Sequence, residues 1–567
     1  MVWPKRTFRH MVQYGWAWRV SLLFTSAAVV AMMLSFSQAR FIIGELGLIH
    51  SLPISFFIAL AFLTFASAIL WLSPQYHGKL LCLQTCLLIT GLWLTPLIIT
   101  GFYSYPYVRA DHPYRFYGFT DYIAQWGHLN PGLLSYHGWP AAWLLSATVI
   151  VIYGINDPVT MIALTPFLMQ FLYLFPLYLF FRNIFGRNNY CWAGVWLFYL
   201  GNWMGQSYLG AHSFSIILFL NVLALLTKTS ASQQGINGVV YQLISIGIFV
   251  GLTITHLVSS FVVLSGLIVL YIGRKIKSFI TIMFATLFFA FWLLYWATYS
   301  FKSNLPVLID AFLRLDMFAY HSVEAPLTIT SEAHRTVAMF RILTTVIFIV
   351  IAFTGFIIGR KIKRNTSNDR IILLMAMSFT MAPIILGPGI FLEVPERIFI
   401  YILPLIAYFG AKMLAHRTTA IVFCSLLLIL LPLFFICNYG NAIIDHLSPV
   451  HIVALHFFED NTSEGYITGG YALGYKKTGQ GIYDYTSISF DKLQWKDNKL
   501  IYNQTFQRDR PHRPHFISIS RHDEAWYDFN YNKPWFIRQI QQQLNMAVNV
   551  NLIYSNPDLS LYINENP

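Results

Sequence analysis

Residues 101–141 read GFYSYPYVRADHPYRFYGFTDYIAQWGHLNPGLLSYHGWPA, a polar and aromatic stretch between long apolar runs. It holds two carboxylates, Asp111 and Asp121, with Arg109, Arg115, His112, His128 and His137 around them. Most connections between elements are far shorter, and a long one is either functional or disordered. Disordered segments are poor in aromatics, whereas this stretch carries nine tyrosines and tryptophans. It reads as an active-site loop resting on the outer face of a membrane.

The composition around the loop requires that membrane. The 567-residue chain is 56% hydrophobic and 11% charged, against about 25% charged in soluble proteins. It is therefore expected to be a polytopic α-helical membrane protein. Its net charge of +13 is accounted for by basic residues retained on the cytoplasmic side. No basic cluster of adequate size lies in a polar region, which argues against a nucleic-acid partner. The five cysteines all lie in or beside apolar runs, so neither a disulfide framework nor a metal cluster follows from them.

Lys5, Arg6, Arg9 and Arg19 precede an apolar run at about 20–38. That run is long for a signal peptide and reads as an uncleaved first span. Further spans fall near 51–72 and 80–100, before the loop. Later ones fall near 158–181, 190–206, 212–227, 238–256, 258–272, 278–298, 338–358, 371–388, 398–414 and 420–437, about thirteen in all. The apolar segment 140–153 is short and is expected to be an amphipathic helix lying in the interface. With the N-terminus in the cytoplasm, the densest basic clusters, at 274–277 and 360–364, fall inside. Counting 140–153 as a span would invert every later loop and place the second cluster outside.

Two parts follow: a transmembrane part, 1–440, with its outer loop at 101–140, and a small extracytoplasmic α/β domain, 441–567. In the latter, 448–458 and 535–546 read as helices and HFISIS (515–520) as a strand. NLIYS-NPD-LSLYI (551–563) reads as a terminal hairpin turning at Asn556-Pro557-Asp558. Its glycines form no phosphate loop, because no Gly-Lys-Ser/Thr follows them.

Asp111 follows the third span by about ten residues, so it can stand just above the membrane. A carboxylate there can act as general base on an acceptor hydroxyl or ligate a cation. Asp121 is the second candidate base, although Thr120 or Asp121 also suits a cap on a helix running to Gly127. Tyr136 and Trp139 suit an aromatic belt and Pro140 a first helical turn, while His137 between them suits a phosphate or sugar hydroxyl. Glu393, Glu396 and Arg397 lie at the outer mouth between two late spans. An arginine at that depth is costly unless it is paired or faces a polar cavity, and a lipid phosphate would be its ligand. Gln206, Tyr208 and His212 form a polar notch at another outer hairpin, and His256 interrupts an apolar run. All these interruptions fall on one side, which points to a single outward-facing cavity. The loop 299–337 carries an amphipathic pattern at 306–318, suited to a lid or to a plain connection.

The order of these features resembles the GT-C superfamily of membrane glycosyltransferases. The features are Asp111 in a large outer loop, the join YHGWPAAWLL (136–145), RNIFGR (182–187), GQSYLGAHSFSI (205–216), THLVSS (255–260), VPERIFIYILPL (394–405) and a terminal soluble domain. Two extra spans stand before the loop, which such enzymes often carry right after their first span, and Asp111 is followed by His112 rather than a second acid. The resemblance implies a polyprenyl-phosphate sugar donor and transfer to a glycan, lipid or protein acceptor on the extracytoplasmic side. It also implies an integral protein of the plasma membrane in contact with membrane lipids. Asp111 would be the base; Arg397, with Arg115 or His137, would hold the lipid phosphate; Tyr136, His212, His256 and Glu396 would line the substrate site. A divalent cation is compatible with this chemistry, although no set of three or four oxygen ligands is visible. The competing readings are a transporter or flippase of lipid-linked sugars, a polysaccharide polymerase or ligase, and a non-catalytic subunit on the same scaffold.

Overall fold

The computed structural model describes residues 5–42, 44–101, 112–131, 135–155, 158–203, 208–231, 236–276, 278–313, 324–328, 330–361, 367–385, 394–446, 448–461, 466–469, 490, 493–501 and 514–564. Asp111, Gln206 and Glu393 lie outside these residues, as do the side chains of Arg115, Glu396 and Arg397.

Among the described residues, nine helices are long and apolar enough to cross a membrane, and three more are apolar but shorter. The chain is a polytopic helical membrane protein with a small C-terminal sheet region. Position in the bundle follows from burial. The segment Ile398–Ala415 is 89% buried and forms the centre, whereas Phe279–Trp296 is 17% buried and forms a lipid-facing edge. Close approach at the centre needs small residues. Gly355, on the helix Glu332–Lys361, faces the Phe409 carbonyl so closely that a Cβ would collide with it. One turn on, Gly359 leaves room for the stem of Lys412.

Buried polar side chains fix the first three helices. Gln84 donates to Ser21 Oγ (2.8 Å) and Thr25 Oγ1 (2.9 Å) and accepts from Ser67 (2.8 Å). Each amide group thus has a partner, as burial of an amide demands. The first helix, Lys5–Gln38, is in this way tied to Ile54–Trp71 and Gly78–Ile89.

Two expectations need correction. The span expected at 190–206 ends at Gly201. The helix Tyr190–Gly201 has twelve residues, about 18 Å, too short for a hydrocarbon layer of about 30 Å. It is buried along its whole length. Polar residues after it therefore sink into the bundle: Asn202 is 1% exposed and donates to Gln170 Oε1 at 3.0 Å. The second correction concerns Ala141–Tyr153, which is a helix but not an amphipathic one. Ala142, Trp143, Ser146, Ala147 and Ile150 are buried, and its other face is apolar too, with Leu145, Val151 and Ile152 exposed. An apolar outer face belongs against lipid chains rather than in water.

The C-terminal sheet has strand order β1-β4-β6-β5, built from β1 (Tyr466–Gly469), β4 (His515–Ser520), β5 (Asn551–Ser555) and β6 (Leu559–Asn564). β1 runs parallel to β4; β6 is antiparallel to both β4 and β5. A separate hairpin pairs β2 (Gln494–Lys496) with β3 (Lys499–Ile501). The β5–β6 turn forms where expected, with Asn556 Oδ1 accepting from the backbone N–H groups of Asp558 and Leu559 (2.9 and 2.8 Å). The helix Arg521–Tyr531 was not anticipated, although Ser520 and Asp523 form its capping box, a signature legible in the sequence.

Candidate functional site

The loop contains a helix, His112–Trp126. Thr120 and Asp121 lie inside this helix, so neither caps it. Asp121 is 9% exposed and accepts from Gln125 Nε2 at 2.9 Å. The inner face of the helix forms an aromatic knot. Phe116 stacks on Trp143 (5.2 Å) and Phe119 on Tyr136 (5.0 Å). Tyr136 is 36% exposed. His137 is fully buried; its Nδ1 accepts from the Asn130 N–H at 3.0 Å, and its ring packs 5.3 Å from Tyr122. Burial pushes the His137 imidazole down to about 4, so it is neutral at pH 7. The carbonyls of His137 and Gly138 accept from Trp296 and Trp292 (3.4 and 3.0 Å), which ties the knot to the edge helix.

Tyr208 carries the connection inward. Its ring stacks on Phe116, with centroids 6.0 Å apart, and its carbonyl accepts from Ser213 Oγ at 2.6 Å. His212 and Ser215 follow at the start of the helix Ala211–Ala231. There a compact polar cluster forms. His256 is the residue at which Ile236–Thr255 ends and Leu257–Ile272 begins, with extended backbone at φ −158°. Its Nδ1 caps the second helix by accepting from the Ser259 N–H, and lies 2.9 Å from Ser259 Oγ. Ser259 Oγ is 2.6 Å from Tyr401 OH and 2.7 Å from Ser215 Oγ. Tyr401 OH is 3.4 Å from His212 Nε2, and the rings of His212 and His256 meet edge-on at 5.1 Å.

This cluster is rich in hydroxyls. A hydroxyl has one proton and two acceptor positions. Ser215 Oγ also reaches the His212 carbonyl, so several contacts compete for three hydroxyl protons. Such a network can present either a donor or an acceptor to a ligand. Three of the expected residues or notches, Tyr208, His212 and His256, are brought together, and Tyr401 is added. Tyr401 lies on Val394–Ala411, one turn beyond Arg397. By sequence position and helical repeat alone, the two fall on the same stripe of that helix. Tyr136, His137 and Asp121 belong instead to the neighbouring knot.

Sequence reasoning missed Arg341. It lies nine residues into Glu332–Lys361, donates from Nε to the Cys437 carbonyl at 3.1 Å, and holds its guanidinium 5.6 Å from the Trp203 ring centroid. Trp203 in turn packs on Phe399 (5.8 Å), on the Tyr401 helix. The available signal was an arginine inside a long apolar run, which is costly in a bilayer unless it faces protein or a polar cavity. Among the described residues, of which Asp111 is not one, no group of three or more His, Cys, Asp or Glu could hold a metal ion.

The C-terminal sheet packs against the loop helix. Tyr117 of the loop helix, Leu209, and Val159 and Ile162 of the helix Pro158–Phe185 share one buried cluster with Phe458, Phe516 and Leu561. The sheet therefore braces the loop helix, a role that the sequence left undecided.

No protein-family model matches the sequence, and no curated protein matches it. Solved structures do. An Archaeoglobus fulgidus oligosaccharyltransferase tethered to an acceptor peptide containing an NVT sequon is similar at 11% identity and TM-score 0.50, over 82% of this chain and 72% of that one. The archaeal oligosaccharyltransferase AglB from the same organism, in complex with an inhibitory peptide and a dolichol-phosphate, is similar at 10% identity and TM-score 0.50, over 82% and 73%. At such identities the likeness is one of fold: this chain shares the helical membrane fold of these structures.

Proposed function

We propose that this protein is an integral membrane glycosyltransferase that moves a sugar from a polyprenyl-phosphate-linked donor to a glycan, lipid or protein acceptor. The observation that carries this reading is convergence within a GT-C-like fold. The segment 208–215, the His256 break and the Tyr401 helix meet at one hydrogen-bonded cluster, and the loop helix after Asp111 stacks on Tyr208 beside it. We take the N-terminus as cytoplasmic, residues 1–440 as the membrane part, and 441–567 as an extracytoplasmic domain bracing the loop.

In this mechanism Asp111 takes the proton from the acceptor as it attacks the anomeric carbon, with Asp121 the second candidate. The anomeric C–O bond breaks and its electron pair leaves with the lipid phosphate. Arg397, with Arg115 and the newly found Arg341, stabilises the charge that develops there. Glu396 orients Arg397, and the His212–His256–Tyr401 cluster exchanges hydrogen bonds with sugar hydroxyls. Tyr136 and His137 hold the loop against the bundle. Membrane anchorage of the donor completes part of its ordering before reaction. A divalent cation, if used, would sit on Asp111, where it would polarise a phosphate oxygen.

The test is sugar transfer by purified protein in nanodiscs from radiolabelled polyprenyl-phosphate sugars. Asp111→Asn should lower turnover by about 10²–10⁴-fold while lipid binding persists. Unchanged turnover would remove Asp111 and move the role to Asp121, read from Asp121→Asn. Absence of transfer, with lipid-linked sugar crossing proteoliposomes, would replace the transferase by a flippase. Chelation followed by metal return separates the two roles of Asp111, because a base alone is indifferent to both.

A further inference from the structure

At the opposite end of Pro158–Phe185 from its Pro158 start lies a cavity of about 920 Å³, at the upper end of the size range of ligand pockets, roughly 300–1,000 Å³. Its two ends differ in chemistry. At the loop level stand Lys79, Arg187 and Tyr76. Deeper, Phe171, Leu174, Phe175 and Tyr178 line it from a single face of the helix, at the i, i+3, i+4, i+7 spacing. Phe171 is fourteen residues from the Phe185 end, about 21 Å along the axis. Phe175 is 66% exposed and Trp18, on the facing helix, 41%, so this wall opens sideways onto the lipid-facing surface.

The polar end is built in advance. Asn189, 2% exposed, donates to the carbonyls of Leu70, Ser73 and Gln75 (2.8, 3.0 and 2.6 Å) and accepts from the His77 N–H (3.1 Å). That fixes the turn bearing Tyr76. Tyr76 OH is 2.7 Å from Tyr178 OH, and the Arg187 guanidinium stands 5.0 Å over the Tyr76 ring. Acidic residues are also distant in sequence: there is no Asp or Glu between Glu45 and Asp111, or between Asp157 and Asp310. Among the described residues neither Lys79 nor Arg187 pairs with a carboxylate.

We infer that this cavity is a binding site for one anionic glycerophospholipid. Its phosphate sits between Lys79 and Arg187, and one acyl chain lies along Phe171, Leu174 and Phe175. A soluble anion would use the cations but leave the apolar wall idle; a zwitterionic lipid would use the wall but leave the charge uncompensated. The site is separate from the His212–Tyr401 cluster, and the inference rests on no part of the transferase reading.

The experiment titrates phosphatidylglycerol into purified full-length protein in detergent and follows bound lipid by native mass spectrometry. One lipid should bind with high occupancy, and phosphatidylcholine should bind at least about tenfold more weakly. Lys79→Gln with Arg187→Gln should weaken phosphatidylglycerol by about thirtyfold, about fivefold for each surface cation. Both side chains are exposed, so the variant should fold, as checked by size exclusion. Phosphatidylglycerol with a photoreactive acyl chain should label wild-type peptides covering residues 171–178. The inference is overturned by equal binding of phosphatidylcholine, by unchanged affinity in the folded double variant, or by labelling elsewhere. Full competition by inorganic phosphate would make the site one for a soluble anion. Preferential displacement by a polyprenyl phosphate would make it one for a carrier lipid.

Discussion

Tyr401 and Tyr408 lie seven residues apart on one central helix, and the protein uses them in opposite ways. Tyr401 joins histidines and serines in a hydroxyl-rich network whose protons can be rearranged. Tyr408 donates to Asp369, which is also paired with Lys412 in a buried ionic knot. The Lys412 ammonium additionally stands 4.6 Å over the Tyr408 ring. A buried ion pair has one satisfactory arrangement, because each charge depends on the other for its solvation. A cluster of hydroxyls has several. The rigid end suits anchoring the helix, and the adaptable end suits meeting a ligand.

The largest effect should come from breaking the knot. Asp369→Ala leaves Lys412 uncompensated and should cost about 3–5 kcal/mol, read as lost thermal stability in detergent. Asp369→Leu with Lys412→Met should recover most of it; failure to recover would show that the knot is more than a stability element.

Acid tests a third polar group, where the last span meets the C-terminal sheet. Burial pushes His446 down to about 4, and burial with the neighbouring His522 and His446 pushes His451 down to about 3. Their ordinary value is 6.5. Between these values the unfolded chain binds more protons than the folded one, so stability is present above pH 6.5 and is lost as pH falls towards 4. The slope is at most about 1.4 kcal/mol per pH unit for each histidine. His451→Phe should remove its share of that slope in a pH series of melting curves, while Asp369→Ala should leave the slope unchanged.

Overpacking probes the charged end without touching charge. Gly355→Leu forces a side chain against the Phe409 carbonyl and should cost about 1–3 kcal/mol, again by thermal unfolding. The smallest stability effect belongs to the adaptable end. Tyr401→Phe removes one hydroxyl and should cost about 1 kcal/mol, yet lower the proposed sugar transfer by more than that loss of folded protein explains. Equal, small losses in both readouts would make the cluster merely structural.

Much of this architecture was legible in the sequence, for identifiable reasons. Long apolar runs can satisfy their backbone in a bilayer only as helices, so the bundle followed from composition. The β5–β6 hairpin followed from Asn-Pro-Asp, because the Asn556 side chain can close that turn by itself. Errors arose where the neighbours decide. Tyr190–Gly201 and the residues after it look apolar enough for a full span, but buried partners such as Gln170 let the chain leave the helix early. The face of 141–153 directed away from the bundle could not be assigned before packing showed it to be exposed and apolar. Arg341 was hidden by its own apolar run, since only packing shows that it reaches Trp203 and the Cys437 carbonyl.

By itself the sequence determined that the chain is a helical membrane protein with one large aromatic loop and a small terminal sheet. Those conclusions rest on local chemistry: hydropathy, turn residues and charge between spans. Only the tertiary structure decided which polar residues meet. His212, His256 and Tyr401 are separated by as many as 189 positions, yet share a hydrogen-bond network. Tyr76 and Tyr178 are 102 positions apart and join across the opposite cavity. Spacing along a helix fixes the stripe on which a residue lies; which stripes face each other depends on how every helix packs, and no local signal carries that.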